Sequence, residues 1–325
     1  MFLIKICALI FAANLVSAQF SHETSEKMIN FVAASFTPFM SHDYTLANAC
    51  FEKSYPNGNW MTVFSFKGTI GKDDMNQTAH GNLDTYVPWI NGNVSYGNVN
   101  PDIVQASNGA YDVIAPLIFS HRGYNFIFTG HSLGGAIASL TALTAKLAIK
   151  TANISLFTFG EPRYHEYKLA QTFENNLSNG FRVIHDSDVV PHMPMCGTRF
   201  SASCTENTFY HYPQEIWFNK PSMNDSNYKL CSSSNGEDPK CSNSISEPSF
   251  LLNFGTDLGA EMHMTYYNQK LDDYGYSGCG QIPCEDVATD CASKNKECTN
   301  SLYKPAMCKY CRKTCNLCND RKCYN

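Results

Sequence analysis

The stretch YNFIFTGHSLGGAIASLTALTAKL, residues 124–147, constrains the fold of this chain more than any other. Its apolar, aromatic start reads as a buried strand, and the run of small and apolar residues after it reads as a closely packed helix. Between them, Gly130-His131-Ser132-Leu133-Gly134 leaves room only for a sharp turn, because a Cβ at either glycine would crowd the other. A strand that passes straight into a packed helix is half of a β-α-β unit. The pattern recurs: WMTVFSF (60–66), ISLFTF (154–159) and FRVIH (181–185) read as further strands, DIVQASNGAYDVIAPLIF (102–119) and YKLAQTFENNL (167–177) as further helices. That alternation predicts an α/β fold, a mostly parallel central sheet flanked by helices.

Tight turns need glycines whether or not they do chemistry. In G-x-S-x-G at a strand-to-helix junction, however, the serine is held in a strained conformation with its hydroxyl displayed above the sheet. The helix N-terminus behind it directs free N–H groups and the positive end of a dipole at the point where an oxyanion would form. Ser132 is therefore a candidate nucleophile. It needs a base and the base a carboxylate, in the chain order Ser, Asp or Glu, His. Asp186 and Asp188 follow the strand at 181–185, and the downstream histidines are His165, His185, His192, His211 and His263. Spacing does not choose among them.

The first residues, MFLIKICALIFAANLVSA, have one positive charge, an apolar run too short to span a bilayer and a small-residue end. Residues 1–18 are expected to be a signal peptide outside the fold, and the product to be secreted and extracellular. Of 15 cysteines only Cys7 lies in that segment, which leaves an even number, as a disulfide-bonded extracellular protein would have. Five sequons, at Asn76, Asn93, Asn153, Asn176 and Asn224, become candidate glycosylation sites. A net charge of -5 argues against nucleic acid as a partner. Nine cysteines crowd into 279–323 against five in 19–278, so a second unit too small for its own apolar core follows a linker near 274–283.

Beyond these local readings, the chain resembles the class 3 (fungal-type) lipases of the α/β-hydrolase fold. The segments that carry the resemblance are FKGT (66–69), TGHSLGGA (129–136), FGEPR (159–163), DVVPHMP (188–194), YHYPQEIWF (210–218), Cys231/Cys241 with SNSI (242–245), and HMTYY (263–267). The resemblance covers most of residues 40–280 and implies roles residue by residue. Ser132 is the nucleophile, Asp188 the acid with Asp186 as the alternative, and His263 the base, with His211 the rival because of its own motif. The oxyanion hole is formed by the N–H groups of Leu133 and Thr69. Implied disulfides are Cys50–Cys279 and Cys231–Cys241, leaving Cys196–Cys204 to pair by elimination and proximity. The family's lid follows Thr69, but here 70–90 opens with a charged, polar run; Tyr86 and Trp89 are its candidate lid or substrate contacts, with Trp89 equally a core residue. The change to Tyr164-His165 after Pro162-Arg163 has no account at this level.

CEDVATDCASKNKECTNSLYKPAMCKYCRKTCNLC (284–318) resembles the sea-anemone-toxin-like (ShK-type) modules appended to secreted nematode enzymes. That resemblance implies Cys284–Cys318, Cys291–Cys311 and Cys298–Cys315, and leaves Cys308 and Cys323 to each other. Pro305-Ala306 stand where channel-blocking toxins carry a Lys-Tyr pair, which weakens the toxin reading and favours an adhesive or substrate-directing module. The organisation expected is a signal peptide at 1–18, a lipase-like domain at 19–280, the module at 284–318 and a tail at 319–325. The function expected is hydrolysis of lipid carboxylic esters, triacylglycerols foremost, through an acyl-enzyme, with no metal or cofactor. The partners expected are a lipid or ester substrate and an unknown protein or surface for the module, with no nucleic acid and no transmembrane segment. The rivals are a phospholipase A1, a soluble-ester (feruloyl-type) esterase and, from another class, an inactive hydrolase fold acting as a secreted binding or channel-modulating protein.

Overall fold

The computed structural model describes residues 6–9, 19–37, 45–55, 62–68, 85–196, 204–205, 208–245, 257–281, 283–318, 320 and 323. The centre is a sheet in the order β1-β2-β5-β6-β8-β10-β11. Five strands run parallel: β2 (Thr62–Phe66), β5 (Asn125–His131), β6 (Asn153–Phe159), β8 (Gly180–His185) and β10 (Glu215–Phe218). Their near-continuous burial explains why they read as unbroken apolar runs: a parallel sheet is covered on both faces. Alternate residues supply the two faces. Phe64, Phe126, Phe128 and Leu156 enter one core, while Val63, Ile127, Phe157 and Val183 enter the other.

The first core is closed by α3 (Pro101–Ser120), α4 (Leu133–Ala148) and α5 (Tyr167–Asn176). Helix α3 starts at Asn100, whose side chain accepts from the N–H groups of Asp102 and Ile103, with Pro101 at the first helical position. The second core is closed by α1 (His22–Phe36) and by α7 (Leu271–Tyr276), close to the end of the large domain. A Cβ on Gly275 would lie 2.2 Å from the Ala33 carbonyl oxygen, so these two backbones touch. Helix α2 (Thr45–Ser54) joins them through Cys50–Cys279 and through Lys53 Nζ, which donates to the Cys279 carbonyl at 2.9 Å.

Antiparallel strands flank the parallel set. β11 (Tyr228–Leu230) lies on β10, and β1 (Ile6–Leu9) lies on β2 with Ile6 opposite Phe66. Residues 6–9, set outside the fold above as part of a leader, thus cover backbone groups that β2 would otherwise leave unpaired. Residues 1–5 and 10–18 lie outside the described residues.

A second sheet, β3-β4-β7-β9, was not foreseen. β3 (Val87–Asn91) and β4 (Val94–Val99) form a hairpin, and β7 (His165–Glu166) and β9 (Phe209–Tyr210) extend it by two residues each. The end of the expected lid therefore belongs to a sheet. Trp89 is only 4% exposed and packs in the first core, with its ring 5.3 Å from Tyr96, and the Tyr86 ring lies tilted against Phe209 at 4.2 Å. Trp89 thus takes the core alternative, and Tyr86 remains half-buried beside Phe209. Tyr164-His165 is also explained: the Tyr164 hydroxyl bonds Ser139 Oγ at 2.8 Å, and the His165 ring lies near-parallel to Phe173 and Tyr212, with centroids at 5.7 and 6.3 Å.

Past Cys279, a small unit folds around Cys291, Met307, Cys308, Cys311 and Leu317. It contains a 3₁₀ segment (Cys291–Thr299) and α8 (Lys304–Tyr310), and is stapled by Cys284–Cys318, Cys291–Cys311, Cys298–Cys315 and Cys308–Cys323. Cys196–Cys204 and Cys231–Cys241 close short loops in the large domain. Among the described residues no helix is long and apolar enough to cross a membrane.

Candidate active site

The turn between β5 and α4 is as tight as its glycines suggest. A Cβ on Gly130 would sit 2.3 Å from the Gly134 carbonyl oxygen, and one on Gly134 would sit 2.3 Å from that of Phe66. Ser132 is forced to φ 57 and ψ -133, a region that side-chain-bearing residues rarely occupy. Its N–H donates to the Phe159 carbonyl at 2.8 Å, and its side chain makes no capping bond to the helix it precedes. The hydroxyl is therefore not used to hold α4. Leu133 is the first residue of α4, where N–H groups have no helical partner. Thr69 and Asn76 lie outside the described residues. Gly68, just before Thr69, runs against the elbow: a Cβ there would meet His131 O at 2.4 Å and Ser132 Cβ at 3.0 Å.

At the same end of the sheet, the loop after β8 turns through Asp186 at φ 40 and presents Asp188. The Asp188 carboxylate accepts from the Val190 N–H at 3.0 Å and the Tyr266 hydroxyl at 2.7 Å. His263 Nδ1 lies 3.0 and 2.9 Å from its two oxygens. Burial alone would raise the Asp188 pKa. The His263 imidazole and these hydrogen bonds outweigh burial and hold the carboxyl below its usual range. Asp186 is only partly buried; its carbonyl accepts from Trp217 Nε1 at 2.9 Å, which makes it a turn residue.

His263 sits in the last turn of α6 (Asp257–Met264) and is 1% exposed. Its Nδ1 faces Asp188, whereas Nε2, although buried, has no hydrogen-bond partner among the described residues. An imidazole fixed at one nitrogen and open at the other is arranged to accept a proton at the open one. Two residues not singled out in the sequence hold it there. His131, beside Ser132, makes a hydrogen bond from Nε2 to the His263 carbonyl at 2.6 Å, and its ring lies 4.3 Å from that of His263. Burial, then the His263 imidazole, pushes the His131 pKa down to about 3, so it stays neutral and donates that bond. Gly160, at φ 58, supplies the floor: a Cβ there would be 2.8 Å from Asp188 Oδ2 and 2.9 Å from His263 Cε1. Only the G-H-S and F-G-E-P segments hinted at either.

The rival histidines are engaged elsewhere. His211 Nδ1 contacts Glu237 Oε1 at 2.8 Å, and burial with nearby Arg182 drives its pKa well down despite that carboxylate. His185 reaches the Pro221 carbonyl at 2.8 Å, and His165 Nδ1 the Glu166 carbonyl at 2.9 Å. His192 is half-buried, with its pKa pushed to about 4 by burial and by Arg163. Arg163 forks onto Glu237 at 2.8 and 2.7 Å and donates to the Pro194 carbonyl at 3.1 Å, which fastens the loop that carries Asp188. Glu161 accepts from the hydroxyls of Ser139, Thr158 and Tyr212 and ties β6 to α4. Burial raises its pKa.

Of the remaining sequons, Asn93 is exposed at the β3–β4 turn and Asn224 is exposed in a loop. Asn153 and Asn176 instead donate to Asn125 Oδ1 at 2.6 Å and the Thr172 carbonyl at 2.8 Å.

Residues 58–198 match the family model "Lipase (class 3)", and residues 283–318 match "ShK domain-like". A Caenorhabditis elegans protein described as a lipase is 32% identical over 179 residues, 50% of this chain and 49% of that protein. A triacylglycerol lipase from Ricinus communis is 32% identical over 131 residues, 36% of this chain and 24% of that one. The chain thus spans about half or less of the length of these curated relatives. Among solved structures, the Rhizomucor miehei triacylglyceride lipase superposes with a TM-score of 0.58 at 20% identity, over 82% of this chain and 99% of that one. The Yarrowia lipolytica LIP2 lipase gives 0.60 at 16%, over 80% and 99%. At these identities the likeness is one of fold, and it spans the α/β-hydrolase part of the chain. Together with the two family matches, it shows a chain of the α/β-hydrolase fold that is similar to the class 3 lipases over residues 58–198 and to ShK-like domains over residues 283–318.

Proposed function

We propose that the protein is a secreted serine hydrolase that cleaves carboxylic esters of lipids, triacylglycerols foremost. The observation that carries the proposal is the buried Asp188–His263 pair, with Nε2 of the imidazole unengaged, at the sheet end where Ser132 is held in a strained elbow. The relatives described as lipases give the substrate class its support.

In the proposed reaction, His263 Nε2 takes the Ser132 hydroxyl proton as the oxygen attacks the ester carbonyl. The N–H groups of Leu133 and Thr69 stabilise the tetrahedral oxyanion. His263 then gives its proton to the leaving alcohol, which departs and leaves an acyl group on Ser132. Water, deprotonated by the same imidazole, releases the acid by the reverse steps. Asp188 keeps the imidazole in the tautomer with its proton on Nδ1 and stabilises the imidazolium. Tyr266 and the Val190 N–H keep Asp188 ionised.

Acid release from tributyrin, measured across its solubility limit with Ser132→Ala alongside, tests this reading. A Ser132-dependent rate that rises when droplets appear supports a lipase acting at interfaces. Saturation below that limit moves the assignment to a soluble-ester hydrolase. A rate equal to that of the alanine variant removes the activity, and the inactive binding fold takes its place.

A further inference from the structure

The described residues expose twelve large hydrophobic side chains, and four of them, Val287, Leu302, Tyr303 and Tyr310, belong to the small C-terminal unit. Leu302 is the most exposed of all, at 86%. Four disulfides hold this unit around its own core, so these side chains are not spent on folding it. Leu302 and Tyr303 directly precede α8 and Tyr310 ends it. Tyr303, the cap residue in a helical conformation, and Tyr310 are seven residues apart and fall on one side of α8, with Lys309 next to Tyr310 in the last turn. The Val287 N–H donates to the Tyr310 carbonyl at 2.8 Å, which extends the strip until Glu285 and Asp286 end it.

Charge accompanies the apolar side chains. Residues 284–325 hold eight Lys or Arg against five Asp or Glu, a formal +3 in a chain of -5, so the rest carries -8. Lys294 and Lys304 are paired internally with Asp290 and Asp320. Lys309 is exposed, with Nζ 5.2 Å from the centre of the Tyr310 ring.

We propose that this strip docks the protein on an anionic lipid surface. Tyrosine and a fully exposed leucine beside lysine suit the boundary between headgroups and acyl chains, where rings and aliphatic tips are buried while ammonium groups remain in water. The proposal rests on the hydrolase reading above in one respect. Cleaving neutral esters releases carboxylates, so the surface under attack becomes more anionic with turnover and repels a domain of charge -8. A basic, apolar module offsets that repulsion. Burial of Leu302 strengthens binding about tenfold to a hundredfold, and each lysine at the surface about fivefold.

The test uses the full chain carrying Ser132→Ala, so that no product forms, and measures co-sedimentation with phosphatidylcholine vesicles with and without added oleate. Binding should increase with oleate and fall with salt. Leu302→Ser combined with Tyr303→Ser should weaken it at least tenfold, Lys309→Glu severalfold, and Val113→Ser, an exposed position on α3, not at all. Unchanged soluble-ester turnover in the Ser132 background certifies that the strip variants fold. No vesicle binding, or binding indifferent to the strip, overturns the proposal and leaves a protein partner for the module. Strip-dependent binding by a chain that hydrolyses no ester would overturn the hydrolase reading alone.

Discussion

Replacing Gly160 by alanine should injure the site through a single methyl group. The added Cβ would stand 2.8 Å from Asp188 Oδ2, 2.9 Å from His263 Cε1 and 3.0 Å from His263 Nδ1. Ordinary contacts of this kind are about 3.5 Å, so the pair must move by roughly half an ångström or more. Displacements near 1 Å cost on the order of a hundredfold in rate, so kcat on tributyrin should fall about tenfold to a hundredfold. The backbone adds its own term, because φ is 58 and a side chain in that region costs about 1–2 kcal/mol. Gly92 isolates that term: its φ is 63, and a methyl group added there would meet nothing within 4 Å. Gly92→Ala should lower Tm by about 2–8 °C and leave kcat alone. Gly160→Ala should lower Tm further, by the overpacking cost of about 1–3 kcal/mol, and take kcat with it. Equal Tm losses with unchanged kcat in both variants would refute the account of what rests on Gly160.

Three further outcomes are expected. Tyr266→Phe removes one hydrogen bond to the buried Asp188 carboxylate, worth about 1.5–3 kcal/mol. Because the folded Asp188 pKa is depressed, that stability is present at pH 7 and is lost as pH falls through the folded value, so wild-type and variant melting curves should converge in acid. His131 titrates near 3 and His165 and His192 near 4 when folded, all below 6.5, so the unfolded chain binds their protons first. Urea-unfolding free energy should therefore fall as pH drops from 6.5 towards 4, by up to about 1.4 kcal/mol per unit from each; a flat profile would contradict their burial as neutral groups. Replacing both Cys50 and Cys279 by serine opens a loop with a sequence separation of 229 and should cost about 3–5 kcal/mol by calorimetry, with activity retained at low temperature.

The parallel strands were legible because burial on both faces writes them as unbroken apolar runs: ISLFTF lies wholly within β6, and FRVIH within β8. Sheet β3-β4-β7-β9 was not, since β7 and β9 are two residues long and meet only because distant segments fold together. Trp89 shows the same limit, as its indole fits a lid or a core equally until Tyr96 and the first core surround it. At the site, local pattern pointed to Ser132, but five histidines followed it, and only the family resemblance singled out His263 and Asp188. The parts played by His131, Gly160 and Tyr266 depend on atoms brought together from segments far apart in the chain, as many as 132 residues for His131 and His263. A Tyr266 hydroxyl aimed at a carboxylate leaves no periodic trace in the chain.

The Cys50–Cys279 clasp also decides how the molecule bears force. If the C-terminal unit is held and the chain is pulled from the N-terminal side of Cys50, the pull enters at Cys279 and leaves through sulfur into α2. Everything from 51 to 278, which includes Ser132, Asp188 and His263, lies in a closed covalent loop off that line of tension. The chain on either side of the clasp stretches first. The segments proposed to carry catalysis are thereby kept out of the covalent path between the two ends of the chain.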